Sequence, residues 1–363
     1  MPQSRKAAVD GRGGKPAPHS HQPVFELRNL KTAFPGRDAP TIVVNDVSLS
    51  IAPGETLAVV GESGSGKTMT FLSALGLLPT GGKVVGGDVF LDGQNLLELK
   101  PRELRAIRGL KISVVFQDPL SGLNPIFRIG EQIVDAIRAH RTITRAEARD
   151  EAIRLLERVH IPDPNRRFDN YPHELSGGMR QRVLIAMAIA LDPIVLVADE
   201  PTTALDVTIQ AQILELLADI QSETGMGLVL ITHDLGLVAR HADRVVVMYA
   251  GRIIEEGDLD AIFKRTRHPY TVSLFRSIPH LDTPADAELT PIEGLPPDPK
   301  ALPPGCSFEP RCYLGHGRPD CRSITPALSA TDTIQHRSAC HHWGEVMNDG
   351  GLKTTEAVTS DEH

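Results

Sequence analysis

The sequence predicts an α/β fold on a largely parallel sheet, and three observations predict it. Short apolar runs recur, each closing on a polar residue: Thr56–Val60 before Gly61, Ile112–Phe116 before Gln117, Ile194–Ala198 before Asp199, and Leu228–Ile231 with Thr232 before His233. Apolar runs without alternation suit strands buried on both faces. The first run leads into Gly61-Glu62-Ser63-Gly64-Ser65-Gly66-Lys67-Thr68 and then a helical stretch, Met69–Leu78. Strand, glycine-rich loop and helix in that order make a phosphate-binding turn. Finally, Asp118 to about Leu191 reads as mainly helical and interrupts the strand pattern.

The elements follow in chain order. Residues 1–23 are polar and rich in Gly and Pro, the composition of a disordered tail. Within them Gly11-Arg12-Gly13-Gly14-Lys15 ends in lysine but has no strand before it and the wrong spacing. Strands open the segment from Val24. Phe34 lies in a polar turn upstream of the glycine loop, where an aromatic ring can stack on a base or close a strand end.

Gly61 to Thr68 fits G-x-x-x-x-G-K-[ST] in full. Gly61, Gly64 and Gly66 let the backbone wrap, with N–H groups around Ser63 and Ser65 turned inward. Lys67 can reach β- and γ-phosphates, and the Thr68 hydroxyl can ligate Mg²⁺. A glycine turn that binds nothing needs neither Lys-Thr nor the flanking strand and helix.

Glu98–Leu110, with Pro101 near its start, predicts a short helix. Arg145–His160 carries apolar residues at Ala148, Ala152, Ile153, Leu155, Leu156 and Val159, close to helical spacing. Leu175-Ser176-Gly177-Gly178-Met179-Arg180-Gln181 then heads the apolar run Val183–Leu191. Ser176 is a good N-cap, and a helix N-terminus with small residues suits an anion such as phosphate. An ordinary capped helix has the same start.

Asp199 ends a buried strand, where open α/β sheets present ligands, and suits Mg²⁺. Glu200 beside it suits a base that orients or deprotonates water. Gln117 and His233 each follow a strand and so stand at the same sheet edge. The chain closes this segment with Arg244–Tyr249 and Arg252–Glu255 around Ala250-Gly251, a hairpin pattern.

At 363 residues and 41% apolar content, the chain can build one large or two smaller cores. A formal charge of −8 argues against general nucleic-acid binding. No run is long and apolar enough to span a bilayer, and no apolar stretch follows the N-terminal basic residues as a signal peptide requires. An intracellular protein that meets membranes through partners is the expectation.

Character changes after residue 279. Prolines abound, and all four cysteines fall here, spaced C-x5-C-x8-C-x18-C at Cys306, Cys312, Cys321 and Cys340. Disulfides, zinc, a four-thiolate iron–sulfur cluster and unrelated buried thiols all remain open on the residues alone.

Taken together, the motifs resemble the ATPase subunit of an ATP-binding-cassette (ABC) transporter from about Val24 to Phe263. Gly61–Thr68 resembles that family's phosphate loop, Gln117 its Q-loop, Leu175–Gln181 its signature, Asp199-Glu200 its second nucleotide motif and catalytic glutamate. Ala204-Leu205-Asp206 resembles its D-loop and His233 its switch histidine. Arg267-His268-Pro269-Tyr270-Thr271, Ser277-Ile278-Pro279, Pro304–Cys312 and Gly122-Leu123-Asn124-Pro125 resemble the oligopeptide and dipeptide importer branch.

The resemblance implies a P-loop NTPase of the ABC type over 24–263, with a helical subdomain at about 119–191. A Pro/Cys-rich extension follows at 264–345, and a disordered tail at 346–363. It implies ATP and Mg²⁺, with Phe34, Gly61, Ser63, Gly64, Ser65, Gly66, Lys67 and Thr68 at one nucleotide. Ser176, Gly177, Gly178 and Asp206 meet a nucleotide held by a second ATPase subunit. Thr68, Gln117 and Asp199 hold the metal, and Glu200, His233 and Gln117 are catalytic. It further implies a [4Fe–4S] cluster on the four cysteines, with zinc as the alternative.

The implied partners are a second ATPase, two membrane permeases and an extracytoplasmic binding protein, placing the chain on the cytoplasmic face of the membrane. Nickel, glutathione or another small solute are alternative cargoes. ABC ATPases of translation carry two cassettes, and this chain has one phosphate loop. Those of DNA repair carry long coiled coils, for which the stretch between Thr68 and Ser176 leaves no room.

Overall fold

The structure is a computed structural model describing residues 22–37, 39–118, 122–203, 205–277 and 292–346. The tails expected to be disordered fall almost wholly outside these residues, as do Ala204, Ile278 and Pro279.

Two sheets carry the fold. The first holds β1 (Phe25–Phe34), β2 (Thr41–Ile51), β4 (Lys83–Leu91) and β5 (Gln94–Asn95) in the antiparallel order β2-β1-β4-β5. One face of it buries Phe25, Leu27, Val89 and Leu91. The second contains the strands that the apolar runs predict: β3 (Thr56–Val60), β6 (Ile112–Val115), β7 (Val195–Asp199) and β8 (Gly227–Ile231). The pairs β3–β8, β8–β7 and β7–β6 are all parallel. All five residues of β3, β7 and β8 are buried, which explains their unbroken hydrophobicity.

On the other side β3 pairs in parallel with β9 (Arg244–Tyr249), which turns into β10 (Arg252–Asp258) through the expected hairpin. The extension then lengthens the sheet. Short strands β11 (Ser329–Ala330) and β12 (Arg337–Ser338) give the order β11-β12-β10-β9-β3-β8-β7-β6.

Helix α1 runs over Lys67–Ala74 rather than the expected Met69–Leu78. It starts two residues earlier because Gly66 takes a left-handed φ of 102° and turns the loop directly into the helix. It stops earlier because Gly76 is left-handed and Pro79 follows. Helix α2 (Pro101–Ile107) has Pro101 in its first turn and is shorter than expected. Glu98, where that expectation begins, instead ends a separate 3₁₀ turn, Leu96–Glu98.

The helical insertion contains α3 (Ile129–Arg138), α4 (Arg145–Arg158), α5 (Pro164–Arg167) and α6 (Gly177–Ile189). Helix α4 begins with a reciprocal cap. Thr144 Oγ1 accepts from Glu147 N at 3.2 Å, and Glu147 accepts from Thr144 N at 2.8 Å. Helices α7 (Val207–Thr224), α8 (Leu235–His241), α9 (Leu259–Lys264), α10 (Pro269–Arg276) and α11 (Pro319–Ser323) complete the chain. Among the described residues no helix is long and apolar enough to cross a membrane.

The extension shares a core with the sheet. Val60, Val247 and Tyr249 pack in one cluster with Tyr270, Phe308, Cys312 and Ala339. Tyr249, Tyr270 and Phe308 meet pairwise at ring-centroid distances of 4.6, 5.3 and 5.3 Å. His268 is buried beside them, caps α10 by accepting from Tyr270 N at 3.1 Å, and is pushed down to about 3 by burial.

That depression has a sign. The unfolded chain protonates His268 near its ordinary value of 6.5 while the folded chain does not, so stability falls as pH drops below 6.5 toward 3. This one group should cost about 1 kcal/mol between pH 6.5 and 5.5. His268→Asn keeps a capping acceptor but cannot titrate, so urea denaturation at the two pH values should show a shallower dependence. An identical slope would place the titration elsewhere.

Candidate nucleotide site

The phosphate loop hangs from the end of β3. Gly61 has φ of 148°, and a Cβ there would stand 2.3 Å from the Met248 carbonyl oxygen, so no larger residue fits. The tip of the β9–β10 hairpin supports the loop from beside it, with Gly251 N donating to Ser65 O at 2.9 Å. Lys67 is buried, and its ammonium donates to Gly61 O at 2.7 Å and Glu62 O at 3.0 Å. Burial lowers its pKa, against the pull of Glu200, Asp199 and Glu62. An anion in the loop would supply the missing compensation.

Thr68 and Asp199 meet across the sheet. Thr68 Oγ1 donates to Asp199 Oδ1 at 3.1 Å. Asp199 is 5% exposed, and burial pushes its carboxyl up against that bond. Ser65 Oγ is buried with no hydrogen-bond partner. A crowded carboxylate, a hydroxyl beside it and an unbonded hydroxyl in the same loop fit a magnesium–nucleotide pair.

Glu200 gathers the remaining polar groups. Its Oε2 accepts from Gln117 Nε2 at 2.7 Å and from Thr203 Oγ1 at 2.8 Å, and its Oε1 lies 3.4 Å from His233 Nδ1. Its φ is 45°, a left-handed backbone in a non-glycine residue. Such conformations cost about 1–3 kcal/mol and persist where surrounding structure imposes them. Here the Glu200 N–H is held by Ile231 O at 2.9 Å, which links the ends of β7 and β8. Gln117, Glu200 and His233, which the sequence scatters over more than a hundred residues, therefore form one cluster. Thr203 belongs to it and escaped the sequence reading; its only signal is its place three residues beyond Glu200.

The signature residues stand apart as an exposed helix start. Ser176 caps α6 by accepting from Met179 N at 3.4 Å, and both Ser176 and Gly177 are exposed. A Cβ on Gly178 would stand 2.7 Å from Ile209 Cγ2, so the start of α6 sits tightly against the start of α7. Asp206 caps α7, accepting from Ile209 N at 3.0 Å. Ser176 and Asp206 thus mark adjacent helix starts. Phe34 closes β1, half-buried, with its ring packed on Gly82.

Comparison with known proteins gives the family. Residues 44–203 match the family model described as ABC transporter, and residues 254–321 match the oligopeptide/dipeptide transporter C-terminal region. A protein of Brucella melitensis named as a peptide import ATP-binding protein is 47% identical over 338 residues, covering 90% of this chain and 99% of that one. A peptide ABC transporter ATP-binding protein of Sinorhizobium fredii is 46% identical, with 90% and 96% covered. Among solved structures, a dimeric post-hydrolysis state of the ATP-binding cassette MJ0796, bound to ADP and Pi, matches with a TM-score of 0.59. It is 30% identical, covering 65% of this chain and 98% of that one.

The iron–sulfur expectation is corrected here. The matched families and relatives are described by ATP binding and peptide transport, and their descriptions carry no iron–sulfur cluster. Cys306, Cys312, Cys321 and Cys340 line one small cavity, where burial pushes every thiol up, Cys321 to about 11 and Cys340 to about 12. A four-sulfur zinc site is not formed: among the described residues, the group with ligand atoms mutually within 4.8 Å is Asp320, Cys321 and His342.

A polar cluster at the strand ends, an exposed helix start and relatives matched over nearly their full length lead to one conclusion: this chain belongs to the ABC transporter family, as an ATP-binding subunit carrying the C-terminal region of the oligopeptide/dipeptide transporters.

Proposed function

We propose that this chain is the ATPase of a peptide importer, binding MgATP at Gly61–Thr68 and hydrolysing it with Glu200 as the base. The convergence of Gln117, Thr203 and His233 on Glu200, beside the Thr68–Asp199 pair, carries the reading. Bound Mg²⁺ supplies charge neutralisation at the β- and γ-phosphates. Thr68, Asp199 and Gln117 hold it. Lys67 turns from the loop carbonyls to the phosphates, and the N–H groups of Ser63 to Gly66 cradle them. Phe34 offers its ring to the base.

Glu200 orients a water and takes its proton, with Gln117 and Thr203 holding its carboxylate in place at the strand end. His233, exposed at the end of β8, steadies the γ-phosphate region. Gln117 joins the metal to the adjoining helical segment and so carries nucleotide state toward the permeases. Ser176, Gly177, Gly178 and Asp206 complete the site of a second ATPase, related to this chain. The exposure of Ser176, Gly177 and Asp206 supports that role, as does the dimeric state of the MJ0796 cassette.

Two permeases fix the assembly to the cytoplasmic face of the membrane and receive peptides from an extracytoplasmic binding protein. The segment after Gln117 offers them apolar surface: Ile126 is 73% and Phe127 52% exposed.

Glu200→Gln should retain ATP and lower turnover by about 10²–10⁴-fold in the purified transporter, as loss of a positioned base does. Near-normal hydrolysis would mean another group takes the proton. Lys67→Ala should abolish nucleotide binding at this site, read with a fluorescent ATP analogue. Phe127→Asp should reduce recovery of this chain with detergent-solubilised permeases, and undiminished recovery would move the dock elsewhere. Di- and oligopeptides, delivered by the binding protein, should stimulate ATP hydrolysis by the reconstituted transporter, and a peptide-insensitive rate would sink the cargo assignment.

A further inference from the structure

The extension touches the phosphate loop itself, and it does so through one residue of the loop. Arg311 lies between Cys306 and Cys312, and its side chain is 5% exposed. Its guanidinium grips Glu62 with two parallel bonds, Nη1 to Oε2 at 2.8 Å and Nη2 to Oε1 at 3.0 Å. The remaining donors are also engaged, with Nε on Glu293 O at 2.9 Å and Nη1 on the Tyr249 hydroxyl at 3.3 Å. An Arg fork used this fully has one orientation available. The backbone of Glu62 is held as well: its N–H donates to the hydroxyl of fully buried Tyr270 at 2.8 Å.

Both ends of Glu62 are therefore fixed by residues more than two hundred positions downstream. Glu62 follows Gly61, whose carbonyl and that of Glu62 receive the Lys67 ammonium. Moving Glu62 must move the oxygens that orient Lys67.

We propose that Arg311 and Tyr270 are positioning residues for nucleotide binding, through which the C-terminal extension sets the shape of the phosphate loop. The proposal rests on the reading of Gly61–Thr68 as the nucleotide loop. With the extension seated, Glu62 is pinned and the loop is preorganised for phosphate. With the clamp broken, the loop samples other shapes and binding carries that ordering cost.

The test uses the full chain and a fluorescent ATP analogue, with steady-state hydrolysis measured in the assembled transporter. Arg311→Met should weaken MgATP binding about tenfold, within the range usual for coupled sites. KM should rise by a similar factor while kcat changes less than twofold. Tyr270→Phe, which keeps the ring packing and removes only the hydroxyl, should act in the same direction, and Arg311→Lys should recover part of the affinity. Glu62→Gln combined with Arg311→Met should be no worse than the weaker-binding single variant, since both break one interaction. If Arg311→Met does not fold, Tyr270→Phe and Glu62→Gln carry the same expectation. Unchanged affinity in these variants, or effects that multiply in the double variant, would overturn the clamp. Lys67→Ala separates the two readings: if it leaves binding intact, the assignment of the loop is what fails.

Discussion

Close approach of backbone to backbone around the phosphate loop is the constraint on which the rest depends. At Gly61 the chain passes so near the end of β9 that a Cβ would overlap the Met248 carbonyl at 2.3 Å. At Gly251 a Cβ would stand 2.5 Å from the Val43 carbonyl. These two glycines let the loop lie between the tip of the hairpin and the antiparallel sheet. Gly251 then bonds in both directions, donating to Ser65 O at 2.9 Å and accepting from Asn45 N at 2.8 Å. The loop is thus a bridge between the sheets, and its curvature follows from how they are set.

The second consequence appears at the strand ends. Parallel strands with one-residue differences in exit point bring Gln117, Asp199, Glu200 and His233 to the same edge. Glu200 accepts a left-handed φ of 45° there, with Ile231 O holding its N–H at 2.9 Å. Strain at this residue and hydrogen bonding to its carboxylate act together. The backbone fixes where the carboxylate emerges, and Gln117 and Thr203 fix how it turns. The base proposed at Glu200 is aimed in advance and need not reorganise as water attacks the γ-phosphate and gives up its proton.

Much of this was legible in the sequence because it is local. The strand at Thr56–Val60, the loop, the hairpin around Ala250-Gly251 and the cap at Ser176 each depend on residues within a few positions of one another. The edge of the sheet that carries Gln117, Asp199 and His233 could be read from apolar runs ending in polar residues. What could not be read is non-local. Strands of two residues at Ser329–Ala330 and Arg337–Ser338 carry no periodicity, yet they extend the sheet beyond β10. The pairing of Glu62 with Arg311 spans 249 positions and leaves no pattern in either segment. The iron–sulfur expectation came from the resemblance and not from the spacing, which by itself left several chemistries open for Cys306, Cys312, Cys321 and Cys340.

The extension is best understood through the same packing logic as the loop. Its strand β12 pairs with β10 at Glu255 and Glu256, so it continues a hydrogen-bonded ladder that runs through β9 to β3. Glu255 is fully buried there and meets His336 of the extension at 2.8 Å, which ties the ladder's edge to the segment that covers it. Tyr270 and Phe308 fill the space beneath Tyr249 at the end of β9, one step from Ala250 and Gly251. Removing the extension would therefore expose Tyr249, leave Glu255 without its partner and release Glu62 together. A segment joined to the sheet's hydrogen bonds, to its aromatic core and to the nucleotide loop cannot shift without the loop feeling it, because close-packed interiors transmit displacement rather than absorb it.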